Sequence, residues 1–239
     1  MKGTGRIRMY LLLSFLGGVL VLVIALVGLQ DDVALTSNER RFVVTPLNVA
    51  CALGISMALR PNWRKRWFGD EGTIDGGSDD ANEPLPGPRR RGHHPECETY
   101  ASHTLTWRGK VRCAGCTGLA IGAFLVIVLG IVYVRVPTSI TWAAGPALVL
   151  AGVSLVALDL FAAWAGGIDP RANMTLNCLM VLGFAFVSIG LLEATGEWTW
   201  GLVGVVFSVL WMDTRIQLSR WYHAAVCTVC PEGCKAYLL

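Results

Sequence analysis

The sequence predicts an all-α integral membrane protein of about six transmembrane helices with cytoplasmic cysteine-rich caps. Three observations carry that expectation. The chain of 239 residues is 54% hydrophobic and only 15% charged, against roughly 25% charged residues in a soluble domain. Apolar runs recur at about the 20 residues needed to cross about 30 Å of hydrocarbon. Lys and Arg fall almost wholly on one side of those runs, as they do in cytoplasmic loops.

The first run, Met9 to Leu29, contains no charge. It exceeds the roughly 7–15 apolar residues of a signal peptide and lacks a small-residue cleavage site, so a retained helix is expected. The second, Val43 to Leu59, is shorter and carries Pro46 and Asn48. The third is Thr117 to Val134 and the fourth Ile140 to Ala165. The fifth is Met174 to Leu192, and the sixth runs from Trp198 to about Trp211. Threaded alternately, these spans put all 20 Lys and Arg on one side except Arg40, Arg41 and Arg135. Both termini are therefore expected in the cytoplasm, in a multi-pass cell-membrane protein. The same bias supports the second span, without which the basic loop would lie on the wrong side. A net charge of +3 makes no case for nucleic-acid binding.

Composition divides the chain further. Residues 1–66 read as an N-terminal helical hairpin of two spans, closed by Arg60-Pro-Asn-Trp-Arg-Lys-Arg-Trp67, which suits the headgroup layer. Residues 67–96 are rich in Gly, Pro and Asp and read as a disordered cytoplasmic linker. Residues 97–116 form a Cys/His segment, 117–222 a four-helix transmembrane unit, and 223–239 a Cys-rich cytoplasmic tail. The third span opens on Gly118 and Gly122, whose four-residue spacing puts both on one helix face, where a neighbouring helix can come close.

Six of the eight cysteines are clustered. Cys51 and Cys178 lie singly within spans and read as small buried hydrophobes. Cys97, Cys113 and Cys116 precede the third span, and Cys227, Cys230 and Cys234 follow the sixth. On the cytoplasmic side thiols stay reduced, which favours metal binding or redox work over structural disulfides. Zinc takes four tetrahedral Cys or His ligands. Cys97, His103, Cys113 and Cys116 make one such set, and His223, Cys227, Cys230 and Cys234 make another. The two could instead share one ion. Zinc is the first expectation and an iron–sulfur cluster the second, since the C-terminal spacing falls short of a ferredoxin run. Thiol redox chemistry at Cys113 and Cys116, set at a helix N-terminus, is the competing use.

The stretch His103 to Gly122, HTLTWRGKVRCAGCTGLAIG, is similar to the signature of small prokaryotic membrane proteins grouped as domain of unknown function 2085. Cys113, Ala114, Cys116, Thr117, Gly118 and Gly122 carry the resemblance, and Asp159, Asn173 and Gly183 look like later positions of that family. Gly115, Glu98 and Leu160 depart from it. The resemblance covers about residues 97–192 and implies a membrane topology and a cysteine site, without an activity.

Asp159 stands inside the fourth span, where an ionisable group is costly and marks a function by default. It is a candidate for a helix–helix hydrogen bond, a proton or cation site, or a pair with Arg171, and Asn177 is a candidate neighbour. No nucleophile elbow, metalloprotease helix, phosphate loop or carboxylate pair is present in the chain, so the sequence leans away from an enzyme. The leading expectation is a zinc-capped structural or accessory subunit. Its partners would be the lipid bilayer and either another membrane protein or a second copy of the chain. A small-solute or ion transporter using Asp159, and a membrane thiol redox protein using Cys113 and Cys116, are the alternatives.

Overall fold

The computed structural model describes residues 4–29, 35–59, 103–107, 110–136 and 144–228. The expected linker, together with Cys97, Cys230 and Cys234, lies outside the described residues. Among the described residues there are six long helices: α1 (Thr4–Val27), α2 (Ser37–Leu59), α3 (Ala114–Arg135), α4 (Ala144–Ala165), α5 (Pro170–Thr195) and α6 (Trp198–Thr228). Each is long and apolar enough to cross a membrane. Large apolar side chains such as Phe15, Phe124, Phe161 and Val206 face outward from the bundle, as lipid as the surrounding solvent requires. The protein is a multi-pass membrane protein.

Local chemistry fixes the helix ends. Thr36 and Glu39 form a reciprocal capping box at the start of α2: Thr36 N–H donates to Glu39 Oε2 at 2.8 Å, and Glu39 N–H donates to Thr36 Oγ1 at 3.3 Å. That cap starts α2 before Val43, and the helix continues through Pro46. Asp169 caps α5 by accepting from the Arg171 and Ala172 amides, with Pro170 in the first turn. Gly196 ends α5 in the left-handed region at φ 69°, its N–H donating to Leu192 O. The connections 166–169 and 196–197 are so short that α4, α5 and α6 must run antiparallel.

Two strands were not expected. Segment 104–113 forms a hairpin of β1 (Thr104–Trp107) and β2 (Lys110–Cys113), antiparallel, with Thr104 opposite Cys113 and Trp107 opposite Lys110. β2 runs directly into α3, so Cys113 is both the last strand residue and the N-cap of the helix. The sixth helix is also longer than the apolar run suggests. Its 31 residues span about 46 Å, enough to cross the bilayer and continue beyond it on the hairpin's side.

The core is organised around α5, which packs on α3, α4 and α6 and has the most deeply buried side chains. Backbone contact makes this possible. A Cβ on Gly118 would collide with the carbonyl of Met174, and one on Gly122 would lie 2.7 Å from Cys178 O. The G-x-x-x-G face therefore docks α3 onto α5, as its spacing predicts. Between α4 and α5, a Cβ on Gly152, Gly183 or Gly190 would lie 2.6–2.8 Å from a carbonyl across the interface, and one on Gly145 would lie 2.7 Å from the Ala194 backbone nitrogen. α1 lies against α4, α5 and α6, whereas α2 lies chiefly against α3, with smaller contacts to α5 and α6. The first two helices are thus seated on different parts of the bundle.

Candidate functional site

The hairpin, the end of α6 and the α4–α5 turn meet on one side of the bundle. Tyr222 of α6 packs on Gly166, whose φ of 70° and close contact with that ring leave no room for a side chain. The His103 ring lies 5.6 Å from Tyr222 and 5.5 Å from His223, the latter nearly perpendicular at 87°. Two histidines far apart in sequence are therefore neighbours. One turn into α3, the Cys116 thiol is hydrogen-bonded with Cys113. Both cysteines are half-buried, and no disulfide joins them. Cys113 caps α3 through its extended backbone, without using its side chain.

These residues form two pairs, His103 with His223 and Cys113 with Cys116. Among the described residues no three His, Cys, Asp or Glu side chains converge on a point that would hold a metal ion. Cys227 lies in the last turn of α6, and the side chains that would complete either expected set fall outside the described residues. Cys51 is buried in α2 and Cys178 is partly buried in α5, consistent with their reading as apolar filler.

Beneath the cysteines lies a polar chain inside the bundle. A Cβ on Gly115, between Cys113 and Cys116, would lie 3.8 Å from the Asn177 side-chain nitrogen. Asn177 Nδ2 donates to Asn173 O at 2.7 Å and to Asn173 Oδ1 at 2.9 Å. Arg215 Nη2 donates to the same Asn173 Oδ1 at 3.0 Å, and Arg215 Nε donates to Asp159 Oδ2 at 2.8 Å. The chain thus joins α5, α6 and α4, and Asn177 lies next to Gly115 of α3. Asp159 is 1% exposed, and among the described residues its Oδ1 has no hydrogen-bond partner. Of the expected roles for Asp159, the helix–helix hydrogen bond is the one present, and the cation that makes it is Arg215 rather than Arg171. Arg171 instead uses its backbone N–H to complete the Asp169 cap. Arg215 holds one carboxylate oxygen, Oδ2, at 2.8 Å. The geometry is that of a buried helix-to-helix clamp.

A second charged cluster, not anticipated, occupies the other end of α5. The Tyr133 hydroxyl of α3 donates to Glu193 Oε1. Arg40 of α2 lies 3.8 Å from the same oxygen, 4.9 Å above the Tyr133 ring, and donates to Val136 O. Glu193 sits one residue past the apolar run ending at Leu192, and Arg40 three residues before the run starting at Val43. Read linearly, both look like loop charges; helical extension brings them indoors.

Comparison with protein-family models, with curated proteins and with solved structures found no match.

Proposed function

We propose that the protein is a structural or accessory membrane subunit, with both termini in the cytoplasm and a zinc-binding cap formed by the hairpin and the end of α6. One observation carries the reading. The 5.5 Å approach of His103 and His223 sets one histidine of each expected Cys/His set beside the other. Cys113 and Cys116 adjoin the same hairpin, and Cys227 ends the helix that carries His223. Zinc would add Cys97, Cys227, Cys230 or Cys234 to these pairs and complete four ligands. The one-sided Lys and Arg distribution supports a cytoplasmic cap, where reduced thiols are the rule. The resemblance to the domain of unknown function 2085 family supports a cysteine site at the start of α3. A closed Cys/His site contributes folding free energy directly, so the metal would fasten the hairpin and the α6 tail to the membrane bundle.

Elemental analysis and an absorption spectrum of anaerobically purified protein test this. About one or two zinc ions per chain are expected, with loss of thermal stability on chelation. Metal-free protein of unchanged stability would overturn the reading, and a visible sulfur-to-iron charge-transfer band would replace zinc with an iron–sulfur cluster.

The Cys113–Cys116 hydrogen bond favours a second reading, a dithiol redox pair. Thiol trapping in cells followed by mass spectrometry should then find the two cysteines partly as a disulfide. Fully reduced thiols under oxidative challenge would exclude it.

A further inference from the structure

A groove of about 340 Å3 runs along the outside of the bundle between α1 and α4. Its walls are apolar, with Leu11, Phe15 and Gly18 on one side and Val153, Ala157 and Leu160 on the other. The floor is fixed by polar groups that satisfy one another. Ser14 Oγ and Thr214 Oγ1 are hydrogen-bonded at 2.8 Å, and Trp211 Nε1 donates to Ser14 O at 3.1 Å. Trp211 is almost completely buried, so the groove is preformed and presents carbon to whatever enters it.

The cap-side end of the groove has a different character. Trp164, in the last turn of α4, lines it and is half exposed. Arg8 lies three residues before Leu11 and seven before Phe15, which puts it on the same face of α1 one turn beyond the groove, and it is exposed. A slot of apolar walls ending in an interfacial Trp and a cation matches one molecule in a bilayer: a phospholipid with an anionic headgroup. We propose that this groove is a binding site for one anionic phospholipid of the cap-side leaflet. One acyl chain lies along Gly18 and Ala157, and the phosphate meets Arg8. An acyl chain leaves bulk lipid for the groove with no hydrophobic gain. Occupancy therefore depends on the fit to the fixed floor, and headgroup preference on Arg8.

Native mass spectrometry of the full chain in mild detergent tests the site, with titration of phosphatidylglycerol and phosphatidylcholine of matched chains. The wild type should retain a single phosphatidylglycerol about fivefold more tightly than phosphatidylcholine, the preference expected of one basic residue near the membrane surface. Ala157→Phe, which fills the slot from an exposed position, should abolish retention of both lipids. Arg8→Gln should leave binding but make the two lipids equal. Equal retention of both lipids by the wild type would overturn the proposal, as would undiminished retention by Ala157→Phe. A dimer abolished by Ala157→Phe would assign the groove to a second copy of the chain and also overturn it.

Discussion

At one end of α5, Asp159 and Arg215 meet at 2.8 Å, and Asn173 and Asn177 extend the hydrogen-bonded chain along α5 to a point beside Gly115 of α3. At the other end, Arg40 and Glu193 stand 3.8 Å apart, and Glu193 takes a hydrogen bond from Tyr133. The first cluster is a direct charge-assisted bond with its carboxylate sealed from solvent. The second is a looser pair in which the cation also lies over an aromatic ring and donates to a backbone carbonyl. The difference concerns how much each cluster depends on any single member. A carboxylate whose main partner is one guanidinium is stranded when that partner goes, because the buried charge keeps its full desolvation cost. A cluster whose members have several partners loses one contact at a time.

Arg215→Ala should therefore be the most damaging single change, costing about 3–5 kcal/mol in equilibrium unfolding from mixed micelles. Pairing Arg215→Met with Asp159→Leu should recover most of that loss, since a buried pair exchanged for apolar groups is often neutral. If the double variant is as unstable as Arg215→Ala, the clamp is not the source of the effect. Gly118→Leu sharpens the comparison by moving α3, which bears the Gly115 contact to Asn177, off α5. It should cost about 1–3 kcal/mol and increase the reactivity of Cys113 and Cys116 towards a membrane-impermeant maleimide. At the opposite end, Glu193→Gln keeps an acceptor for Tyr133 and should cost about 1 kcal/mol. A loss equal to that of Arg215→Ala would erase the distinction between the clusters. Tyr133→Phe removes one hydroxyl while keeping the ring under Arg40, and the smallest loss, about 0.5–1 kcal/mol, is expected.

The membrane spans were legible because apolar length is a local property, and Gly118 and Gly122 were legible because their spacing is. Asp159 and Asn177 could be singled out as polar residues in apolar surroundings. Their connection could not, since Arg215 lies four residues beyond the apparent end of the sixth run at Trp211. A weaker signal was present. Gly204, Ser208, Trp211, Arg215 and Leu218 alternate at spacings of four and three, a single helix stripe that continues past the run. The hairpin was also within reach: Thr104 to Trp107 and Lys110 to Cys113 flank an Arg-Gly pair suited to a tight turn. The meeting of His103 with His223 depends on the length of α6 and on Tyr222 finding Gly166, neither of which a linear reading supplies.

The seating of α1 bears on how the molecule is assembled. Ser14 bonds to Thr214, 200 residues later in the chain, and Trp211 closes on the Ser14 carbonyl from the same late helix. During synthesis α1 is made before α6. Until α6 arrives, the polar notch at Ser14 has no α6 partner, and α1 can join the bundle only through its contacts with α4 and α5. The finished packing of α1 thus waits on α6, and a chain truncated before Trp211 would leave α1 half-seated in lipid.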